Sequence, residues 1–343
     1  MPIAPNFTER MLFTLNLAPA PLLDFFGALA FRTAATALKL GVFEAIGDSA
    51  ATADEVARRI GGNPRGTACL LKALGALGYL KKRNGGYTAT AMARKWLPLL
   101  ADALPFAEAG IFEQWVHLED RIRGRKPPIH SYDDMEREGR WREFEAGMLA
   151  LARSSAGRAV AKVKVPRSAH RLLDLGGGHG LYSVEFCRRY PQLSATVFDF
   201  PQALEVARDV IAAERMGDRV SVLAGDFWSD DIGSGYDLVL LFNIVHGNQP
   251  ERNALLLQKV AGSLTSKGQV VILDQLEDAK GSGPTARAIA ALTGLNMYNA
   301  SGGQAYRFTE IASWLAAAGF IRPRRVNLLR SPGNAVVMAT KAS

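Results

Sequence analysis

The alternation of short apolar runs with helical segments in the second half of the chain restricts the fold more than any other feature of the sequence. Five runs are mostly apolar and short enough to be buried strands: residues 172–175, 195–199, 220–223, 238–241 and 270–273. Such runs are typical of a sheet covered on both faces, and the helices between them imply right-handed crossovers between parallel strands. We therefore predict an α/β domain over residues 166–343, built on a doubly wound parallel sheet.

The first hundred residues follow a different pattern, in which helices precede a short hairpin. Helices are predicted over Phe26–Ile46, Ala53–Ile60 and Arg65–Tyr79, and the hairpin turn over Asn84-Gly85-Gly86. This is the order of a winged helix. We therefore assign residues 1–100 to a winged-helix-like dimerisation domain.

The third of these helices indicates whether the winged helix binds DNA or contacts a second subunit. Between Ala68 and Leu77 it is mostly apolar around its circumference, whereas a helix that reads DNA needs a polar, basic outer face. An apolar helix must be covered by protein, so we predict contact between two subunits and no nucleic-acid partner. The net charge of +8 favours an anionic partner only weakly, because the Lys and Arg residues are scattered.

A helical region connects the two parts of the chain. Residues 101–165 are interpreted as a linker and pocket lid, in which Lys126-Pro127-Pro128 and Asp133–Arg142 mark loops or a solvated helix face. A helix is predicted from about Trp141 to Val163, immediately before the α/β domain.

The composition is that of a folded globular chain. Apolar residues make up 48% of the sequence and charged residues 22%. The two cysteines, Cys69 and Cys187, lie far apart and form no CxxC motif, and we find no signal peptide and no apolar run of membrane length. We therefore expect a cytoplasmic location and no membrane partner.

A glycine-rich turn follows the first strand of the predicted sheet. In Asp174-Leu175-Gly176-Gly177-Gly178-His179-Gly180 the glycines let a ligand approach the backbone closely. The spacing does not fit the Gly-x-Gly-x-x-Gly of dinucleotide sites, because Leu181 or Ser183 stands where the third glycine is needed. A pyrophosphate ligand is therefore disfavoured.

Acidic side chains follow the next two strands. Asp199 ends the second strand, where a carboxylate can accept both ribose hydroxyls of a nucleoside. Asp226 and Phe227 follow the third strand and offer an acceptor and an aromatic plane to an adenine. Together with the glycine turn, they predict a nucleoside site at one edge of the sheet.

These motifs resemble those of the class I methyltransferases of the plant-type small-molecule O-methyltransferase family, which includes caffeate, hydroxyindole and bacterial polyketide methyltransferases. The resemblance covers nearly the whole chain and implies a homodimer formed through the N-terminal domain. It also implies that S-adenosylmethionine is the cofactor, that S-adenosylhomocysteine is the product and that no metal is required. The residues expected to bind the cofactor are Asp174, Gly176, Gly178, Asp199, Phe200, Asp226, Phe227 and Asn243.

The resemblance also implies where the methyl acceptor binds. The segment from Phe144 to Met148 is similar to the helix that closes over cofactor and acceptor, so both of these residues are expected to line the pocket. Asn296, Met297 and Asn299 are expected to face the acceptor, because an apolar side chain with amide neighbours suits an aromatic ring that bears polar groups.

His246 is the candidate general base. It follows the fourth strand at the carboxyl edge of the sheet, where the family carries its catalytic histidine. A phenol with a pKa near ~10 is a poor nucleophile at neutral pH, so a base with a pKa near ~6.5 assists the reaction. The other histidines are interpreted as structural or surface residues: His117, His130, His170 and His179.

The chain departs from the family's pattern beside this base. The usual His-Asp-Trp is His246-Gly247-Asn248, and Asp274 matches the first of two acids that flank the base. Gln304 stands where the second acid is expected. We therefore expect His246 to be oriented less tightly, or the acceptor to be acidic enough to react without a strong base.

We predict methyl transfer to a phenol or enol hydroxyl of a small aromatic or polyketide-like metabolite. The missing acids leave C- or N-methylation, or an altered reaction, as an alternative. A nucleic-acid-binding or base-modifying protein is a third possibility, disfavoured because Asn243-Ile244-Val245-His246 is not the Asn/Asp-Pro-Pro-Tyr/Phe turn of such enzymes.

Overall fold

The computed structural model describes residues 3, 5–125, 139–279, 283–328, 331 and 333–343, with the backbone alone at 109 and 110. The chain divides into two compact units, Met1–Leu104 and Pro105–Ser343. His130, Lys126-Pro127-Pro128 and most of Asp133–Arg142 lie outside the described residues.

The first unit is helical apart from one antiparallel hairpin. Its elements are α1 (Phe7–Thr14), α2 (Pro21–Lys39), α3 (Val42–Ile46), α4 (Ala53–Arg59), α5 (Pro64–Ala76), β1 (Leu80–Arg83), β2 (Gly86–Ala89) and α6 (Ala91–Pro105). Thr52 forms a capping box with Glu55 at the start of α4, and the Asn63 side chain caps α5. Leu71 and Leu74 of α5 are buried in the core of this unit. The predicted winged-helix order is confirmed.

Two helix boundaries in this unit differ from the prediction. The helix expected over Phe26–Ile46 is two helices, because Gly41 adopts a left-handed φ of 66° between α2 and α3. The third helix ends at Ala76 rather than Tyr79, just before Gly78, whose φ of 78° is again left-handed. Hydrophobic periodicity runs through both glycines and does not reveal these breaks.

Apolar side chains of the first unit remain exposed within the described chain. On α1 and α2 the exposed large apolar residues are Phe7, Met11, Leu12, Leu22, Phe25, Phe26 and Leu29. The third predicted helix, α5, is expected to be covered by protein on all sides. Its Cys69 is exposed, so the described part of the chain does not cover this side of the helix.

The second unit contains a seven-stranded sheet. Its strands are β3 (Arg171–Leu175), β4 (Ser194–Asp199), β5 (Val220–Ala224), β6 (Tyr236–Phe242), β7 (Leu264–Gln275), β8 (Phe320–Asn327) and β9 (Asn334–Lys341), in the spatial order β5-β4-β3-β6-β7-β9-β8. All five predicted strands are present and pair in parallel, which confirms the doubly wound α/β fold. The sheet also contains two strands that were not predicted, β8 and β9, and β9 runs antiparallel between β7 and β8.

Helices cover both faces of this sheet. They are a π-helix (Phe106–Phe112), α7 (Glu113–Trp115), α8 (Leu118–Ile122), α9 (Trp141–Arg153), α10 (Ala156–Val160), α11 (Leu181–Arg189), α12 (Leu204–Ala213), a 3-10 turn (Val245–Gly247), α13 (Pro250–Ser263), α14 (Pro284–Ser301) and α15 (Phe308–Ala317). The helix expected from Trp141 to Val163 is interrupted between α9 and α10. Successive residues of β3 belong to different cores: Leu172 to one, Leu173 to the other. None of the helices in the described ranges is long and apolar enough to cross a membrane.

Candidate active site

The glycine turn after β3 brings backbone close to two other segments. Gly176, Gly178 and Gly180 have left-handed φ values of 69°, 46° and 68°. A Cβ atom at Gly176 would overlap the side chain of Ile244, and one at Gly178 would overlap the carboxylate of Glu145. The turn therefore requires glycine both for its conformation and for its surroundings.

Asp174 lies beneath this turn. Its side chain is buried, and Ser183 Oγ donates to its Oδ2 at 2.8 Å. A Cβ atom at Gly177 would stand 2.7 Å from its Cγ, so the turn wraps over the carboxyl group. Burial raises the pKa of Asp174 to about 7. The structure thus places this predicted cofactor residue where it supports the glycine turn.

Asp199 joins the end of β4 to the same turn. Its Oδ2 accepts from the Gly178 amide at 2.8 Å, and its Oδ1 accepts from the Phe200 amide at 2.7 Å. Burial raises the pKa of this carboxyl to about 6, although both hydrogen bonds oppose the rise. The end of β4 is therefore hydrogen-bonded to the glycine turn that follows β3, and these are the two segments that the sequence predicts to lie side by side.

Asp226 and Phe227 follow β5, as predicted. Asp226 Oδ1 accepts from the Trp228 amide at 2.8 Å in a tight turn. The Phe227 ring reaches the glycine turn, because its Cε1 would lie 3.7 Å from a Cβ built at Gly176. The structure brings the aromatic ring to the glycine turn, with Asp226 next to it in the chain.

Glu145 is a member of this site that the sequence interpretation did not single out. Only 4% of the residue is exposed, and its carboxyl group stands against Gly178. Burial raises its pKa well above the usual range, and the nearby charge of Asp199 adds to the rise. The available signal was its spacing, because an acid one turn after Trp141 falls on the buried face of the helix.

Phe144 and Met148 lie on the same helix. The Phe144 ring is 5.3 Å from that of Phe106 and 6.2 Å from that of Trp141, which in turn lies 5.7 Å from Phe200. Phe144 therefore belongs to an aromatic cluster beside the segment expected to bind ribose. Met148 is half-buried.

His246 and Asp274 form the polar centre at the ends of β6 and β7. Asp274 Oδ1 lies 2.5 Å from His246 Nδ1, and Asp274 Oδ2 accepts from the His246 amide at 3.0 Å. Burial lowers the pKa of His246, but the charge of Asp274 and its contact with the ring outweigh this, and the net shift is upward. The ring nitrogen Nδ1 lies against the acid, although the geometry of this contact is not that of a hydrogen bond, and Nε2 is left for a ligand.

The turn that carries His246 is held by polar side chains where the family has Asp-Trp. Asn248 Nδ2 donates to Ile244 O at 3.0 Å, and Asn253 Nδ2 donates to Val245 O at 2.9 Å. Tyr306 donates its hydroxyl to Asn248 O at 2.5 Å. Asn243, before this turn, has a left-handed φ of 59°, and its amide donates to Leu273 O.

One acid, rather than two, contacts the imidazole. Gln304, at the position of the expected second acid, is exposed. Within the described ranges Asp274 is the carboxylate in contact with His246, but it binds both the ring and the main chain. The expectation that His246 is oriented less tightly stays a prediction.

The predicted acceptor residues on α14 are partly engaged by other side chains. Trp115 Nε1 donates to Asn296 Oδ1 at 2.6 Å, and Arg121 Nη1 donates to Asn299 Oδ1 at 2.8 Å. Met297, between them, is half-buried. Trp115 and Arg121 belong to short helices that the sequence interpretation treated only as linker.

The remaining described histidines make structural contacts. His179 is buried, its Nδ1 accepts from the Leu181 amide at 3.1 Å, and burial lowers its pKa to about 4. His170 Nδ1 lies 3.3 Å from Gln192 O, and His117 precedes α8. The described residues contain no group of three or more His, Cys, Asp or Glu side chains arranged to hold a metal ion.

Comparisons with known proteins agree with this geometry. Residues 115–321 match the family model of the O-methyltransferase domain, and residues 24–98 match that of the O-methyltransferase dimerisation domain. The chain is 34% identical over 323 residues to a 3-hydroxy-5-methyl-1-naphthoate 3-O-methyltransferase of Streptomyces sahachiroi, covering 91% of this chain and 92% of that protein. It is 26% identical over 340 residues to an L-tyrosine C(3)-methyltransferase of Streptomyces lavendulae, covering 92% and 91%.

A solved structure shows the same fold. The crystal structure of human N-acetylserotonin methyltransferase in complex with S-adenosylmethionine matches 94% of this chain and 98% of its own, with a TM-score of 0.82 and 23% identity. The two family models together span most of the sequence, and the first relative exceeds 30% identity over nearly its whole length. The chain therefore belongs to the O-methyltransferase family and is an S-adenosylmethionine-dependent methyltransferase.

Proposed function

We propose that this enzyme methylates a hydroxyl group on a small aromatic or polyketide-like metabolite, with His246 as the general base. The observation that carries the proposal is the contact between His246 and Asp274 at the same sheet edge as the glycine turn. The relatives named for hydroxynaphthoate and for tetracenomycin polyketide methylation support this class of acceptor.

The residues at the sheet edge fit S-adenosylmethionine. Gly176 and Gly178 give the turn a bare main chain, with the side chains of Ile244 and Glu145 packed against it; Asp199 suits a ribose, and Asp226 with Phe227 suits an adenine. Glu145 supplies a buried carboxyl group beside Gly178, where a cationic ligand would gain most from a countercharge. When bound, S-adenosylmethionine supplies a methyl group on a sulfonium that an oxygen nucleophile attacks in line.

His246 prepares that nucleophile. In this mechanism the ring proton resides on Nδ1, which lies against Asp274, and neutral Nε2 accepts the proton of the acceptor hydroxyl. The carboxylate of Asp274 then stabilises the imidazolium that forms. The hydrogen bond from the His246 amide to Asp274 keeps the ring at the sheet edge. The base is therefore positioned before the acceptor binds.

A phenol carbon is a second candidate for the methylated atom. A relative 26% identical to this chain is named as an L-tyrosine C(3)-methyltransferase, and deprotonation of a phenol also activates its ortho carbon. The same base serves both reactions. Fragmentation of the product by mass spectrometry, or its NMR spectrum, distinguishes a methoxy group from a methyl group on the ring.

We further propose a homodimer in which α1 and α2 bury their exposed apolar side chains against the partner copy. The match of residues 24–98 to a dimerisation domain supports this assembly. The exposed free thiol of Cys69 supports the cytoplasmic location that we also propose.

The cofactor and base assignments are tested together. S-adenosylhomocysteine should raise the Tm in proportion to occupancy, NADH should not, and Asp199→Ala should abolish the shift. His246→Ala should keep the Tm shift but lower turnover on phenols, detected as a gain of one methyl, by about 10²–10⁴-fold. His170→Ala is the matched control. Full turnover by His246→Ala on a phenol would disprove the base assignment.

A further inference from the structure

The guanidinium of Arg121 is buried beside α14, the helix that carries the residues predicted to face the methyl acceptor. Only 1% of the residue is exposed, and Nη1 donates to Asn299 Oδ1 at 2.8 Å and to Gln114 O at 3.4 Å. Nε and Nη2 are buried and have no hydrogen-bond partner among the described residues. Burial lowers the pKa of this side chain, and within the described ranges it pairs with no carboxylate.

The two unpartnered donors form one edge of the guanidinium. Nε–H and the outward Nη2–H are parallel, and this pair matches the two oxygens of a carboxylate. A buried cation without a counterion is costly, and the cost is recovered when an anion binds. Gln114, whose main-chain oxygen accepts from Nη1, also has a buried side-chain Oε1 without a partner among the described residues.

Helix α14 links Arg121 to the proposed base. Asn299, which binds Arg121, lies in the last turn of α14, and Gly303 follows the end of this helix at Ser301. A Cβ atom at Gly303 would overlap the main chain of His246 and Gly247. The end of α14 and the residues that follow it therefore contact both the guanidinium and the main chain of the turn that carries His246.

We propose that the acceptor is an aromatic hydroxy acid whose carboxylate binds the Nε–Nη2 edge of Arg121 while its hydroxyl faces His246. This inference rests on the proposed function for the identity of the acceptor hydroxyl. It adds that the enzyme selects acids over neutral aromatic compounds of the same shape. Arg121 thus determines specificity and positions the ring for transfer.

Binding of aromatic acids that carry no hydroxyl tests Arg121 without any turnover. Benzoate, 1-naphthoate and 2-naphthoate are compared with their primary amides by calorimetry on the full-length protein loaded with S-adenosylhomocysteine. We expect at least one acid to bind about 30–100-fold more tightly than its amide, because the amide loses a charge-assisted bidentate contact. If no acid is preferred over its amide, the inference is overturned.

Substitutions at Arg121 test whether this residue causes the tighter binding of acids than of amides. Arg121→Gln should remove it, and Arg121→Lys should retain part of it, because lysine keeps the charge but not the planar edge. Arg123→Gln is the matched control, since Arg123 is exposed and pairs with Glu119. If Arg121→Gln fails to fold, the comparison of Arg121→Lys with the wild type decides. A preference unchanged in Arg121→Lys and Arg121→Gln would overturn the inference.

Turnover separates this inference from the proposed function. The kcat/KM for hydroxynaphthoates should fall on the order of 100-fold in Arg121→Gln, while that for naphthols should change less than about threefold. Equal losses on both would show a purely structural role. A carboxylate preference in binding without methyl transfer to any hydroxyl would contradict the proposed function and leave the carboxylate site standing.

Discussion

At His246 one carboxylate orients both the imidazole ring and the main chain. Asp274 Oδ1 lies 2.5 Å from Nδ1, and Oδ2 accepts from the backbone amide of the same residue. In the proposed mechanism Asp274, alone among the described carboxylates, contacts the base, at its ring and at its main chain. The proton affinity of His246 and its position therefore depend on the same residue.

Asp274→Asn should change the pH dependence of the reaction as well as its rate. In the proposed mechanism neutral His246 is the active form, so the wild-type rate should rise with pH through a pKa above the ordinary value of about 6.5. Asparagine removes the charge that raises this pKa, so the acid limb of the kcat profile should move to lower pH. We expect kcat to fall by about 10²–10⁴-fold.

The pH series on a phenolic acceptor checks this result. Asp278→Asn is the control, because Asp278 is half-exposed and pairs with Arg325. An acid limb at the same pH in Asp274→Asn and the wild type would show that another group controls the reaction.

Glu145→Gln should stabilise the free protein and weaken cofactor binding. The folded-state pKa of Glu145 is raised, so the folded chain loses stability as the pH rises from the unfolded pKa of the carboxyl towards the folded one. The variant should therefore have a higher Tm than the wild type at pH 8 and a smaller advantage at pH 5. It should also bind cationic S-adenosylmethionine about tenfold less tightly.

Adenosine provides the matched ligand, since its affinity should change less than about twofold. Glu143→Gln, an exposed position on the same helix, is the control variant. If S-adenosylmethionine binds Glu145→Gln as tightly as it binds the wild type, Glu145 is not its countercharge.

At the scale of elements, the turn over Val245–Gly247 is fixed by the end of α14. Gly303 packs so closely that an added Cβ would lie 2.7 Å from the Gly247 carbonyl carbon and 2.9 Å from the Asn248 nitrogen. Both neighbours are main-chain atoms, which cannot move aside as a flexible side chain can. The position of the base therefore depends on a glycine on another element.

Gly303→Ala should displace this turn and with it His246. We expect kcat to fall about 10–100-fold, because a misplacement of about 1 Å is enough to cause such losses. The Tm shift with S-adenosylhomocysteine should persist. Gly262→Ala is the control, since nothing lies within 4 Å of its added Cβ and alanine favours the helix by about 0.5–1 kcal/mol. Equal kcat values in the two variants would refute this role of Gly303.

The sequence predicts the elements that carry a local signal and misses those fixed by distant contacts. The five parallel strands follow from apolar runs, and the glycine turn with Asp199 follows from their order. The edge strand β8 contains Arg322-Pro323-Arg324-Arg325, which hides its extended conformation in a polar segment. The insertion of β9 beside β7 depends on pairing over a long separation, which periodicity does not encode.

The site divides in the same way. His246 and Asp274 are recognisable at strand ends, where ligands of α/β sheets bind. Glu145 and Arg121 belong to helices packed against the site, and a lone charged residue on a helix most often faces solvent. Only the structure shows that both side chains are buried.

At the scale of the whole molecule, exposed apolar surface is concentrated on α1 and α2. Phe25 and Phe26 pack edge to face at 5.4 Å and remain about half exposed. Apolar patches of this kind mark sites of protein association. The match of residues 24–98 to a dimerisation domain includes both rings.

Phe25→Asp should convert a dimer into monomers. A carboxylate at the centre of an apolar interface is not compensated there, and its burial costs several kcal/mol. Light scattering after size exclusion should give half the wild-type mass. Leu255→Asp, at an exposed position on α13, is the control and should keep the dimer mass. A wild-type protein that is itself monomeric would refute the homodimer, and an unchanged mass in Phe25→Asp would place the interface elsewhere.

The position of β9 also has a consequence for synthesis of the chain. Residues 334–341 pair with β7 on the side opposite β6, and Ala335 stands directly beside Asp274. During translation the strand that bears Asp274 lacks this neighbour until those residues leave the ribosome. Its open edge is then a template for pairing with other nascent chains. The strand that carries Asp274, and with it the proposed pair of base and acid, is therefore completed only after residues far beyond His246 have been made.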